Sequence, residues 1–245
     1  VAVSLAPLLD LAGVRAALQT AREAVDAALR HRALRRSGGR VAAEVGLRSA
    51  VASAALEGHE YDLEQVRSGV VTDPVVQGAL RISAALDGLM VPWSTAPRQV
   101  LAKLHVLAAR DIVDEPVLGR PVTGPAVAAR LDTLAQIVTA GTAVPALLRA
   151  AVVHGELLAL HPFAGPNGVV ARAAARLSLM SAGLDPRGLL AVDVGHQRRQ
   201  PEYVGSAGAF ATGTPDGLRA WFTHYAAAVE LAAAELGAIA DSAAA

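Results

Sequence analysis

The apolar residues of this chain are almost all Ala, Leu and Val, and they recur at spacings of three and four. Hydrophobic residues fill 53% of the 245 positions but aromatics only 3%, a mixture that packs helices closely and lacks the aromatic surface that strands favour. Leu8, Leu9, Leu11, Val14, Leu18, Ala21, Val25, Ala28 and Leu29 place one amphipathic helix over the first thirty-odd residues, ended by Arg35-Arg36-Ser37-Gly38-Gly39. Further helices are expected over about 41–56, 62–68, 75–89, 98–110, 126–140, 145–160, 168–182 and 215–240. Gly58 closes the first of these, and Pro145 stands at a first helical position. Residues 91–97 read as a break and 191–214 as mostly irregular. Residues 114–125, rich in proline and glycine, cannot continue a helix and could form a short β-hairpin. The fold class is mostly α, as a single domain over 1–245.

Basic and acidic residues balance at 22 each, so no broad electrostatic footprint suggests nucleic acid or a membrane surface, and any anion site must be local. The absence of cysteine excludes disulfides, thiolate catalysis and cysteine-ligated zinc. Val1 to Leu9 lacks the pattern of a secretory signal, and no stretch is apolar enough to span a bilayer. A cytoplasmic location is expected. Lys103 is the only lysine among many arginines, which with abundant Ala and Val points to a GC-rich bacterial genome.

One segment carries chemistry: His161-Pro162-Phe163-Ala164-Gly165-Pro166-Asn167-Gly168-Val169-Val170-Ala171-Arg172, a turn between two helices. Pro162 disfavours helical geometry at His161, which puts the imidazole at the partially negative end of the preceding helix, where it is a better proton acceptor. Asn167 reads as an N-cap, Gly168 permits close backbone approach, and the free amides that follow suit a phosphate. Phe163 should insert between the helices as an anchor. Arg172 and Arg176 lie one turn apart on one face.

This segment resembles the signature loop of the Fic family, His-Pro-Phe-x-(Asp/Glu)-Gly-Asn-Gly-Arg-x-x-Arg, which mostly transfers AMP from ATP to hydroxyl side chains of target proteins. His161, Pro162, Phe163, Asn167, Gly168 and Arg172 match; Gly165, Pro166 and Val169 depart. The resemblance implies His161 as general base, Asn167 with the amides of Gly168 and Val169 on the α-phosphate, and Arg172 on the γ-phosphate. ATP is the implied substrate. Magnesium is disfavoured, because Gly165 stands where the acidic ligand belongs and hard cations need oxygen donors. Pro166 removes an amide donor and Val169 a cation.

Ser53-Ala54-Ala55-Leu56-Glu57-Gly58 is similar to the family's inhibitory motif, in which the glutamate pairs with the last arginine of the signature. Ser53 and Glu57 are thus regulatory candidates, and a bidentate or near-bidentate ion pair between Glu57 and Arg172 is expected. The pairing has a second argument: a carboxylate at a helix carboxyl end is disfavoured by roughly 0.5 kcal/mol unless a cation meets it. On this resemblance 1–39 is an N-terminal helix, 40–95 the inhibitory-helix region and 96–245 the Fic-like core, with 114–125 in the place of the flap. Tyr203 is either an adenine contact or an ordinary core tyrosine. Two readings of function stand: an autoinhibited adenylyltransferase acting on an unknown target protein, or an inactive scaffold for nucleotide or partner binding.

Other groupings are weaker. His154, Glu156 and His161 lack the spacing of zinc helices, and metal ligation there is disfavoured. Residues 196–200 form a small basic patch that reads as solvated surface. The alanine and leucine periodicity of 218–240 suits core packing or the face of a homodimer.

Overall fold

The computed structural model describes residues 4–140 and 144–244. Among them no strand forms, and the chain is 75% helical. A 3-10 turn over Ala6–Asp10 precedes α1 (Val14–Leu29), so the first helix begins later than the periodicity suggested; Gly13, in the left-handed region at φ 79°, separates the two. Val14, Leu18, Ala21 and Val25 of α1 are buried against α11 (Pro215–Ala244). Ser37 Oγ donates to the Ala243 carbonyl at 3.3 Å, and His31 Nε2 lies 3.1 Å from Asp241.

Between them run α2 (Gly38–Ala55), α3 (Leu63–Arg67), α4 (Pro74–Trp93), α5 (Pro97–Ala109), α6 (Pro125–Thr139), α7 (Ala146–Leu160), α8 (Asn167–Ser181), α9 (Val192–Arg198) and α10 (Gln200–Ala211). Asp62 and Gln65 close a reciprocal cap on α3, and Asp73 caps α4 ahead of Pro74. Pro145 caps α7 rather than opening it.

Three expectations fail for identifiable reasons. Helix α4 runs through Pro92. The carbonyl that Pro92 leaves without a donor belongs to Gly88, which is exposed and can be hydrated. Beyond it, Trp93 is fully buried with its Nε1 on Ser178 Oγ at 3.1 Å. Residues 191–214 form α9 and α10, not irregular chain: Pro201 sits in the first turn of α10, and Gly195 lets α9 touch α11 so closely that a Cβ there would lie 2.0 Å from the Ala228 carbonyl oxygen. Residues 114–125 form no hairpin, only a 3-10 turn over Glu115–Val117.

Helix α8 is the axis of the molecule, buried at every position from Asn167 to Met180. It packs on α7, α4 and α5. One apolar cluster gathers α1, α7, α9, α10 and α11; a second gathers α4, α5, α6 and much of α8. No helix of the described residues is long and apolar enough to cross a membrane.

Candidate functional site

Helix α7 ends at His161, whose φ of 45° is the only positive value at a non-glycine among the described residues. Pro162 bars the helical conformation there, and such a residue stores about 1–3 kcal/mol of strain that its surroundings must hold. The His161 side chain is exposed.

The loop is held from several sides. Phe163 is buried and stacks on His105, ring centroids 4.6 Å apart and 12° from parallel, so it is the expected anchor. His105 Nε2 lies 2.7 Å from the Ala164 carbonyl oxygen, while Gly119 N–H donates to Nδ1 at 2.9 Å. The ring is therefore the neutral Nε2–H tautomer, and burial depresses its pKa against the pull of the Ala164 carbonyl. Val122 N–H donates to the Pro162 carbonyl at 2.8 Å, one strand-like bond from the segment expected as a flap.

Asn167 is not the N-cap; Pro166 takes that place and Asn167 is the first residue of α8. Its amide instead staples the loop, with Oδ1 accepting from Phe163 N–H at 3.0 Å and Nδ2 donating to the carbonyls of Phe163 at 2.6 Å and Gly165 at 3.2 Å. The amides of Gly168 and Val169 follow in the first turn, where a helix has no carbonyl to offer them.

At this helix start lies a carboxylate of the protein itself. Glu57 follows α2 in a turn closed by Gly58 at φ 89°. It accepts from Arg172 Nη2 at 2.8 Å through Oε1, a single bond rather than the two-toothed pair. A Cβ on Gly168 would stand 2.0 Å from that oxygen and 2.9 Å from Arg172 Nη1, so only glycine leaves room for the glutamate. The positive end of α8 and the guanidinium both stabilise the charge there.

Arg172 is 2% exposed. Its Nε donates to Ser53 Oγ at 2.9 Å, Nη2 to the Ser53 carbonyl at 2.8 Å, and Nη1 to the Tyr203 hydroxyl at 3.1 Å. Asp193 Oδ1 lies 3.7 Å from Nε. Burial opposes the charge, but Tyr203, Glu57 and Asp193 outweigh it and hold the guanidinium pKa above its ordinary value. The structure thus brings Ser53, Glu57, Gly168, Arg172 and Tyr203 together.

Tyr203 itself is 5% exposed in an aromatic cluster with His154, His196, Trp221 and His224, and its hydroxyl also meets His154 Nε2 at 3.0 Å. The Val169 side chain is buried, lining a cavity of about 10 Å³ with Ser49, Ser53, Arg176 and Asp193. Arg176 turns to the Gly188 carbonyl at 3.2 Å, not toward Glu57. His154, Glu156 and His161 are not brought together: His154 points into the core, Glu156 pairs with Arg130 at 2.7 Å, and His161 is exposed. His105 and Asp193 were missed by the sequence reading. Neither stands in a motif, and their partners lie 59 and 21 residues away (Ala164 and Arg172).

No family model and no characterised protein matches the chain by sequence. Solved structures do. A Fic family protein from Desulfovibrio desulfuricans superposes with a TM-score of 0.70 at 23% identity, over 89% of this chain and 73% of that one. A fragment of Fic-1 from C. elegans gives 0.73 at 21% identity, over 97% and 76%, and a variant of that fragment gives 0.68 at 21%, over 96% and 74%. The order of the helices, the loop between α7 and α8 and these superpositions agree on one architecture: the chain has the Fic fold.

Proposed function

We propose that this chain is a nucleotide-dependent modifier of proteins, of the AMP-transferring kind, restrained by its own Glu57. The observation that carries this reading is the seat of the Glu57 carboxylate, against Gly168 and bonded to Arg172, where a phosphate oxygen would be drawn by the same helix start and the same guanidinium. With Glu57 withdrawn, the amides of Gly168 and Val169 receive the α-phosphate of ATP and Arg172 the γ-phosphate. Asn167 keeps the loop in shape, while Ser53 and Tyr203 hold Arg172. His161, exposed at the lip, takes the proton of a target hydroxyl as its oxygen attacks the α-phosphorus. The bond to the β-phosphate oxygen breaks and pyrophosphate leaves.

Magnesium does not fit the residues present. Gly165 offers no side-chain oxygen, and the groups nearest its missing Cβ are the Val113 and Ile112 side chains. No step here runs through the metal. That same departure, with Pro166 lacking an N–H, favours a second reading: a non-catalytic scaffold that binds nucleotide or a partner protein. In either case the setting is the bacterial cytoplasm, the partner is a protein, and a homodimer is compatible.

Labelling with ATP carrying radioactive α-phosphate decides between the two. Glu57→Gly should raise transfer to protein above wild type, and His161→Ala in that background should abolish it; equal labelling in all three chains rejects the enzymatic reading. Calorimetry of ATP against Glu57→Gly then tests the nucleotide-binding form of the scaffold: binding that is insensitive to magnesium supports it, and no binding rejects it.

A further inference from the structure

The buried Arg172 guanidinium touches two carboxylates set at different depths. Glu57, 23% exposed at its side chain, lies in a turn at the edge of the site; Asp193, 4% exposed, lies in the first turn of α9. That helix is pinned to α11 by the close contact of Gly195 with the Ala228 carbonyl, so Asp193 cannot withdraw without moving a packed helix. Glu57 needs only a side-chain rotation.

We propose that Asp193 is the standing counterion of Arg172, a positioning residue that keeps the guanidinium buried and aimed at the start of α8 when Glu57 leaves. The inference rests on reading Glu57 as a displaceable restraint. A buried arginine stripped of its only anion would be strongly disfavoured, and Ser53, which accepts from Nε and Nη2, fixes direction but supplies no charge. Asp193 supplies it, with Oδ1 3.7 Å from Nε. Its second oxygen, Oδ2, is buried without a protein partner, as are Ser49 Oγ and Arg176 Nε. All three residues line the same cavity of about 10 Å³, room for about one bridging water. Asp193 therefore lies 3.7 Å from Arg172 Nε and shares that space with Arg176 of α8 and Ser49 of α2.

A double-mutant cycle tests this. Glu57→Gly alone should fold with a melting temperature within a few degrees of wild type. Adding Asp193→Asn should reduce the folding equilibrium constant at least ~5-fold more than the two single effects combined, and the slowly exchanging Arg172 Nε–H resonance seen in Glu57→Gly should be lost. If Asp193 merely serves the first turn of α9, Asp193→Asn costs the same in both backgrounds and the Arg172 resonance persists, which overturns the proposal. Should Asp193→Asn fail to fold, Arg172→Met in the same chain should restore folding; continued failure also overturns it. The outcome is separable from the nucleotide reading, because the cycle contains no ATP and labelling does not enter it.

Discussion

Gly168→Ala offers a test of the glutamate seat, with a cost that depends on whether Glu57 is present. The new methyl would stand 2.0 Å from Glu57 Oε1, far inside contact distance. The obstructing atom ends a flexible side chain, so Glu57 should swing out while the backbone stays. The loss is then one charged hydrogen bond at 2.8 Å, worth about 1.5–3 kcal/mol. Replacing glycine by alanine in a helix returns up to about 1 kcal/mol. The net loss is about 0.5–3 kcal/mol, which for a chain of this size lowers the melting temperature by about 1–12 °C. In a Glu57→Gly background the contact at 2.0 Å is gone and Arg172 Nη1 at 2.9 Å remains, which must shift by a few tenths of an ångström, so the same substitution should cost less than it does in the wild-type chain. Thermal denaturation of the four chains measures this. An equal loss in both backgrounds would refute the placement of Glu57 against Gly168.

Acid should destabilise the fold through its buried histidines. His154 and His196 are held well below the ordinary imidazole value by burial, and His224 is pushed down to about 4, by burial first and then by Arg199. Because the unfolded chain takes up these protons near pH 6.5 and the folded chain only at lower pH, about 4 for His224, stability is full above about 6.5 and falls as pH drops below it, by up to about 1.4 kcal/mol per pH unit per histidine. A flat denaturant midpoint between pH 7 and 5 would contradict this. Gly195→Ala should cost more than about 3 kcal/mol, since its Cβ would strike the Ala228 backbone oxygen at 2.0 Å and neither helix can yield; a soluble variant with an unchanged midpoint in urea would contradict the crossing. Val169→Arg, which writes the family arginine back into the loop, should destabilise by about 3 kcal/mol or more by forcing a long charged side chain into a seat 2% exposed, beside Arg176 and a cavity of only about 10 Å³. A wild-type melting curve would show that the side chain can turn outward.

The sequence is most legible where spacing and local chemistry agree. The loop after α7, the Phe163 anchor and the pairing of Glu57 with Arg172 all followed from short motifs and from a carboxylate stranded at a helix end. What could not be read were contacts that glycine and proline make possible only in three dimensions. Gly195 reads as a helix breaker until α11 is known to lie against it, and Pro92 as a stop until Trp93 is seen to be buried beyond it. Asn167 shows the opposite error: its residue type is that of a cap, yet closure of the loop offered its amide better partners in Phe163 and Gly165. His105 lies in an ordinary helical pattern, and nothing nearby in the sequence marks it as the ring that joins Phe163, Ala164 and Gly119.

The turn that carries His161 owes its form chiefly to groups that need take no part in any reaction: the ring of His105, the amide of Asn167 and the backbone of Val122. The side chains at 166 and 169 take no part in those supports. A lineage could therefore lose its chemistry at this turn without passing through an unfolded ancestor, and likeness of shape to other members of the fold would persist long after likeness of activity had lapsed.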